Sequence, residues 1–342
     1  MSRRLTVLAL AAVVLSGVLA MGSETLVVYT YDSFVSWGPA KAIQATFKAQ
    51  TGCDVEFVTA GGAKATLSRL LAERESGGTR ADVFMAEMNE VPRVQTYDLF
   101  LPLTEKDVPN LAHVPQALRF DPSGALVPYE YGDITLTYDS QALTADELPG
   151  SLEALTDPAY KGKIICEDPR TSSTGFSFLL WTIARFGEEG YLQFWRKLSP
   201  NLLVITQGWS EAWSLLTHGE APIMVSFATD TAYEAASGDP LRYRAFAPGG
   251  EGYRTVYGAG VVKDSTHPQL AKDFVNLLLS KEIQELLPTT EAMLPANETA
   301  TLPAAYREYT VTPAHPEALP LELVAQKMAT WLSDWERAIT AP

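Results

Sequence analysis

The chain of 342 residues carries 26 Lys plus Arg against 41 Asp plus Glu, a formal charge of -15, with 46% hydrophobic and 20% charged residues. It is long enough for a large core, more naturally in two lobes than one, and is composed unlike a disordered protein. Its acidity argues against nucleic acid as a partner, which needs Lys and Arg patches, and mildly favours cationic or neutral ligands.

Arg3 and Arg4 precede an apolar run from Leu5 to Leu15, and Val18-Leu19-Ala20 offers a cleavage site. Residues 1–20 read as a cleaved signal peptide, because the apolar core is too short for a bilayer span and small residues follow it. An uncleaved anchor is the other reading, and no Cys lies near the junction for lipid attachment. Loss of Arg3 and Arg4 would take the charge from -15 to about -17.

Thr25 to Tyr31 is a β-branched, apolar strand leading into an aromatic loop, and a helix opens at Gly38-Pro39. Asp54 to Thr59 predicts a second strand, Gly61-Gly62 a break before a helix, and Ala81 to Met85 a third strand. Strand and helix in alternation imply a parallel α/β sheet. The run VPYEYGDITLTY, Val127 to Tyr138, predicts a strand crossing between lobes. A second α/β set follows, with strands at Lys163 to Cys166, Leu202 to Thr206 and Pro222 to Phe227. Helices are expected at Gly175 to Arg185 and Glu211 to Thr217. Val256 to Val262 reads as a return strand, His267 to Leu278 as a helix, and Trp331 to Ile339 as a closing amphipathic helix. Two α/β lobes with extended hinge crossovers make a clamshell, whose ligand sits at the carboxyl ends of the strands. The expected division is 24–128 with a return at 256–310, then 129–255, then a helical tail at 311–342.

Four strand-to-helix junctions offer backbone donors and helix starts. The first gathers Tyr31, Asp32, Ser33, Phe34 and Trp37, aromatics around one carboxylate; a helix cap with core aromatics is the other reading. At Gly61-Gly62-Ala63 a ligand can approach bare backbone, or the glycines simply turn the chain. The run from Asp168 to Gly175 clusters Thr171, Ser172, Ser173 and Thr174 before an apolar helix, for a polar ligand group or for N-capping. In Gln207 to Trp213, Trp209 between Gly208 and Ser210 reads as a stacking surface at the cleft edge.

Hydrolysis has little support: Ser172 and Ser173 have no recognisable His partner, and no G-x-S-x-G, P-loop, Rossmann or H-E-x-x-H motif occurs. No catalysis is expected. His113, His218, His267 and His315 lack ligand-like spacing, so no metal is expected. Cys53 and Cys166 allow at most one disulfide.

Taken together, YTYDSF, WGP, ADV, EDPRTSSTGFSFLLW, GWSEA, TAYE and the closing W-x-S-x-W-x-R-A resemble the thiamine-binding solute-binding proteins of bacterial ABC importers, from Leu26 to about Ala338. The resemblance implies a type II periplasmic-binding-protein fold, a periplasmic monomer without cofactor, and a permease and ATPase as partners. It implies closure on thiamine or its phosphate esters. By position, Gly62 and Ala63, Ser172 and Ser173, Trp209, and Phe227, Ala228, Thr229 and Asp230 would form the ligand loops, with Tyr233 as an aromatic wall. Three positions depart from the family pattern: Gly62 stands for an acidic residue, Phe227 for a Tyr and Ala292 for a Trp. A different cationic or aromatic solute is the alternative within transport, and a receptor or adhesin a third reading. The ferric-ion binders' adjacent tyrosines are missing beside Tyr233.

Overall fold

The computed structural model describes residues 24–340, so the expected signal peptide at 1–20 lies outside the described residues. The β-branched TLVVY forms β1 (Thr25–Tyr29), buried from its second residue onward. There follow α1 (Asp32–Ser36), α2 (Ala40–Thr51), β2 (Asp54–Val58), α3 (Ala63–Glu75), β3 (Val83–Glu87) and α4 (Val91–Thr96). After irregular chain come β4 (Val127–Asp139), β5 (Ile164–Glu167), α5 (Ser173–Leu198), β6 (Leu202–Thr206), α6 (Trp209–Thr217) and β7 (Ile223–Phe227). Next are α7 (Asp230–Ser237), β8 (Tyr243–Phe246), β9 (Glu251–Val261), α8 (Pro268–Leu278), α9 (Lys281–Gln284) and α10 (Leu287–Thr290). The chain closes with β10 (Leu294–Pro295), α11 (Ala304–Tyr309), β11 (His315–Glu317) and α12 (Leu321–Thr340).

The main sheet path is β2-β1-β3-β9-β4-β7-β5-β6, with β8 and β10 on β4 and β11 on β9. In one half, β2-β1-β3 is parallel and β9 runs against it, followed by β4. In the other, β6-β5-β7 is parallel and β4 runs against it, followed by β8. Both halves therefore have the same plan, and β4 belongs to both. Its first part pairs with β9 from Val127 to Ile134, and its second with β7 from Ile134 to Tyr138. The result is the α/β clamshell with extended crossovers.

Local differences from the expected elements have identifiable causes. Residues 32–36 of the aromatic loop coil into α1. Helix α5 runs on to Leu198 because Gly187 (φ 71°, ψ 174°) breaks the helix without ending it. Strand β9 begins at Glu251, ahead of the return strand expected from Val256, with its Tyr253 fully buried. Helix α12 begins ten residues before Trp331, at Leu321. Trp331 and Trp335 bury its inner face, and Trp335 meets Trp195 of α5 edge-on at 5.6 Å between ring centroids. Burying a large apolar side chain contributes about 1.5–3 kcal/mol, so these aromatics fasten the C-terminal helix. Since α12 packs on both α5 and α4, it bridges the two halves. Cys53 and Cys166 are both buried and free.

Candidate functional site

The helices α1, α6 and α7 start where strands end, and their first turns converge on one pocket. One wall holds Tyr31, Ser33 and Trp37; the facing wall holds Trp209, Trp213, Phe227 and Tyr233. Glu130 of β4 and Tyr257 of β9 come from the shared strands, with Thr290 to Met293 closing the side. Trp37 stays 46% exposed, while Tyr31 is buried. Trp209 and Trp213, four residues apart on one helix face, stack at 5.2 Å with planes 17° apart. The Trp209 indole Nε1 donates to Ser226 Oγ at 2.9 Å, which fixes the plane of that ring.

Three carboxyl groups line this aromatic space, and no Lys or Arg does. Glu130 is 1% exposed, and burial pushes its carboxyl up to about 8 even though the Tyr31 and Tyr129 hydroxyls pull it down. Tyr31 donates to Glu130 Oε1 at 2.5 Å. Glu291 accepts from Ser33 Oγ at 3.2 Å; burial and then the charge of Glu130 hold its carboxyl well above the ordinary range. Asp230 accepts from Thr137 Oγ1 at 2.6 Å and is raised by burial to about 6. Glu130 Oε2 and Glu291 Oε2 are buried without a hydrogen-bond partner. Aromatic faces and unsatisfied carboxyl oxygens suit a flat cation carrying N–H donors. Among the described residues no cluster of side chains could hold a metal ion, and the pocket lining contains no His.

Of the sequence-derived candidates, Tyr31, Trp37, Trp209, Phe227, Asp230 and Tyr233 line the pocket. The others lie outside its lining. Asp32 begins α1, and its carboxylate comes within 3.9 Å of where a side chain on Gly208 would start. Gly62 is pressed on the opposite loop: a Cβ there would sit 2.3 Å from the Thr171 carbonyl oxygen, so no side chain fits, and Ala63 beside it is buried. Ser172 caps α5 by accepting from the Gly175 N–H at 3.3 Å, and Ser173 is buried. From that hydroxyl run it is Thr174 that reaches the pocket. Ala228 and Thr229 are buried, the Ala228 N–H donating to Asp133 O at 2.9 Å. Trp209 is itself the first residue of α6, not a loop residue ahead of it. Sequence reasoning missed Glu130, Trp213 and Tyr257 as lining residues. The spacing of Trp213 from Trp209 was the readable signal among them.

A clamshell of two lobes around an aromatic, acidic pocket defines a protein built to enclose a small solute. Residues 42–314 match the family described as bacterial extracellular solute-binding protein. The chain belongs to this family, whose members bind solutes and do not catalyse reactions. It is 34% identical over 320 residues to the "Thiamine-binding periplasmic protein" of Brucella abortus biovar 1 (strain 9-941), covering 92% of each chain. It is 32% identical over 318 residues to the protein of the same name from Escherichia coli (strain K12), covering 92% of this chain and 93% of that one. The solved structure of a "Periplasmic thiamin binding protein" superposes with a TM-score of 0.84 at 30% identity, over 93% of this chain and 97% of that one. The type II periplasmic-binding-protein fold expected from the sequence is therefore the fold of this protein.

Proposed function

We propose that the protein binds thiamine outside the cytoplasm and hands it to an ABC importer. The observation that carries this reading is the pocket itself, with Trp209 stacked on Trp213 beside Tyr31 and Trp37, three carboxyl groups and no basic residue. Thiamine is a flat cation with an aminopyrimidine ring; each aromatic face attracts such a charge by about 0.5–2 kcal/mol. The names of the Brucella and Escherichia relatives support the choice of solute. A permease and an ATPase are the partners this role requires, the protein acts as a periplasmic monomer, and residues 1–20 direct its export. We assign one lobe to 24–128 with 256–310 and the other to 129–255, followed by the tail at 311–342. The hinges fall near Tyr129 to Thr137 and Tyr243 to Val256, where the chain passes between lobes. Mass spectrometry of the small molecule that copurifies under gentle conditions tests the reading. Thiamine or one of its phosphates is expected; another cationic or aromatic solute would keep the transport role and replace the ligand.

A further inference from the structure

A buried carboxyl with no cation beside it keeps its proton, because an isolated charge in a desolvated site costs more than protonation does. Glu130 and Glu291 meet that condition inside the aromatic pocket. Tyr31 donates to Glu130 Oε1 at 2.5 Å, and Ser33 to Glu291 Oε1 at 3.2 Å. The second oxygen of each carboxyl is buried without a partner. Tyr31, Tyr129 and Tyr257 surround Glu130, and burial holds their own hydroxyls well above the ordinary range. Asp32 of α1 and Tyr233 of α7 face Glu291, with Asp230 in the same lining. None of these groups brings a positive charge, and the lining contains no Lys, Arg or His.

We propose that binding is an exchange of cations: thiamine entering the pocket displaces a proton from the Glu130 and Glu291 pair to solvent. The O–H bond of one carboxyl breaks, water or buffer takes the proton, and the carboxylate left behind becomes the counter-ion of the thiazolium. This rests on the proposed thiamine-binding role and adds to it a link to the proton. An opposite charge within about 4–6 Å favours ionisation of a carboxyl about 10- to 1000-fold. With Glu130 raised to about 8, binding at about pH 7 then releases about 0.4–0.9 proton per thiamine.

Calorimetric titration of the ligand-free protein with thiamine at about pH 7, in buffers of low and high ionisation enthalpy, counts the protons. The slope of the observed heat against that enthalpy is the number released per ligand bound. A release of about 0.4 proton or more is expected. A smaller release, with thiamine bound, overturns the exchange and leaves the thiamine reading standing. Failure of thiamine to bind overturns both. The double variant Glu130→Gln, Glu291→Gln carries amides shaped like the neutral acids but cannot lose these protons. Its release should fall below about half of the wild-type value. A release in the folded double variant at or above that level overturns the assignment to this pair.

Discussion

The Tyr31 hydroxyl lies 2.5 Å from Glu130 Oε1 and 2.5 Å from the hydroxyl of Tyr129, with all three side chains buried. Tyr31 follows β1, whereas Glu130 belongs to β4, the strand shared by both lobes. The aromatic wall is thus tied to the crossover by a buried hydrogen bond. Tyr31→Phe should lower stability by about 1–2 kcal/mol, since a buried acceptor loses its donor. It should also drive the Glu130 carboxyl higher, because the Tyr31 hydrogen bond is the largest influence holding it down. Urea unfolding checks the first effect; an unchanged midpoint at unchanged slope would contradict it.

Stability of the ligand-free protein should fall as pH rises from about 4.5 to about 8. Folded Glu130 keeps its proton up to about 8, against 4.5 for the free group, so the folded state binds more protons across that window. Glu87, raised to about 8, Glu234, raised to about 7, and Asp230, raised to about 6, act in the same direction. Affinity for a cationic solute should move the opposite way, rising as the pocket carboxyls ionise. Thermal melts at about pH 5.5 and 8 measure the first trend, and Glu130→Gln should flatten part of it.

Lys64 is almost fully buried, with its Nζ 2.7 Å from Glu90 Oε1 and 3.7 Å above the ring of Phe176 in α5. It therefore joins one lobe's ion pair to an aromatic face of the other. Lys64→Met leaves Glu90 with only Arg93, at 3.3 Å, and should cost about 2–4 kcal/mol. Replacing Glu90 by Leu in the same variant should recover part of this loss, because the stranded charge is gone. A double variant less stable than Lys64→Met would contradict that account.

The strands were legible because β-branched runs end at turn residues, and the limits of β6, Leu202–Thr206, are those read from the sequence. Glu130 was hidden within such a run: in VPYEYG nothing local says which alternating side chain meets the ligand and which meets the core. The hydroxyl series at 171–174 posed the same problem on a helix, where each step turns the side chain by about 100°. Capping consumed Ser172, and of the two equally buried residues after it Thr174, not Ser173, lines the pocket. Gly62 was open to two readings, and tertiary contact with Thr171, far away in sequence, decided between them.

Any side chain at position 62 should hold the lobes apart. A Cβ there would meet the Thr171 carbonyl oxygen at 2.3 Å, so the two loops must separate, and opening the cleft separates them. In small-angle scattering, saturating thiamine should shrink the radius of gyration of the wild-type protein. The Gly62→Asp variant should keep its larger value and bind at least tenfold more weakly. A variant that closes fully on ligand would show that the two loops part locally instead.

Trp209 carries the most exposed test of the aromatic site. Truncation to Ala should weaken thiamine binding by about 1–3 kcal/mol, the scale of a lost aromatic anchor. Taken as a loop residue, Trp209 would leave folding unaffected on truncation, but its surroundings require a cost. The ring stacks on Trp213 at 5.2 Å and its N–H donates to the buried Ser226 hydroxyl at 2.9 Å. The melting temperature of Trp209→Ala should therefore drop as well. Phenylalanine restores a stacking face without the N–H, so Trp209→Phe should recover part of the affinity and leave the Ser226 hydrogen bond unmade. An analogue of thiamine lacking the thiazolium charge should bind less tightly and lose less on truncation, because the cation–π contribution is already absent. Calorimetry on folded protein separates the two effects. If Trp209→Ala melts lower yet binds thiamine with wild-type affinity, the indole is a packing residue and the aromatic wall across from Tyr31 does not hold the cation.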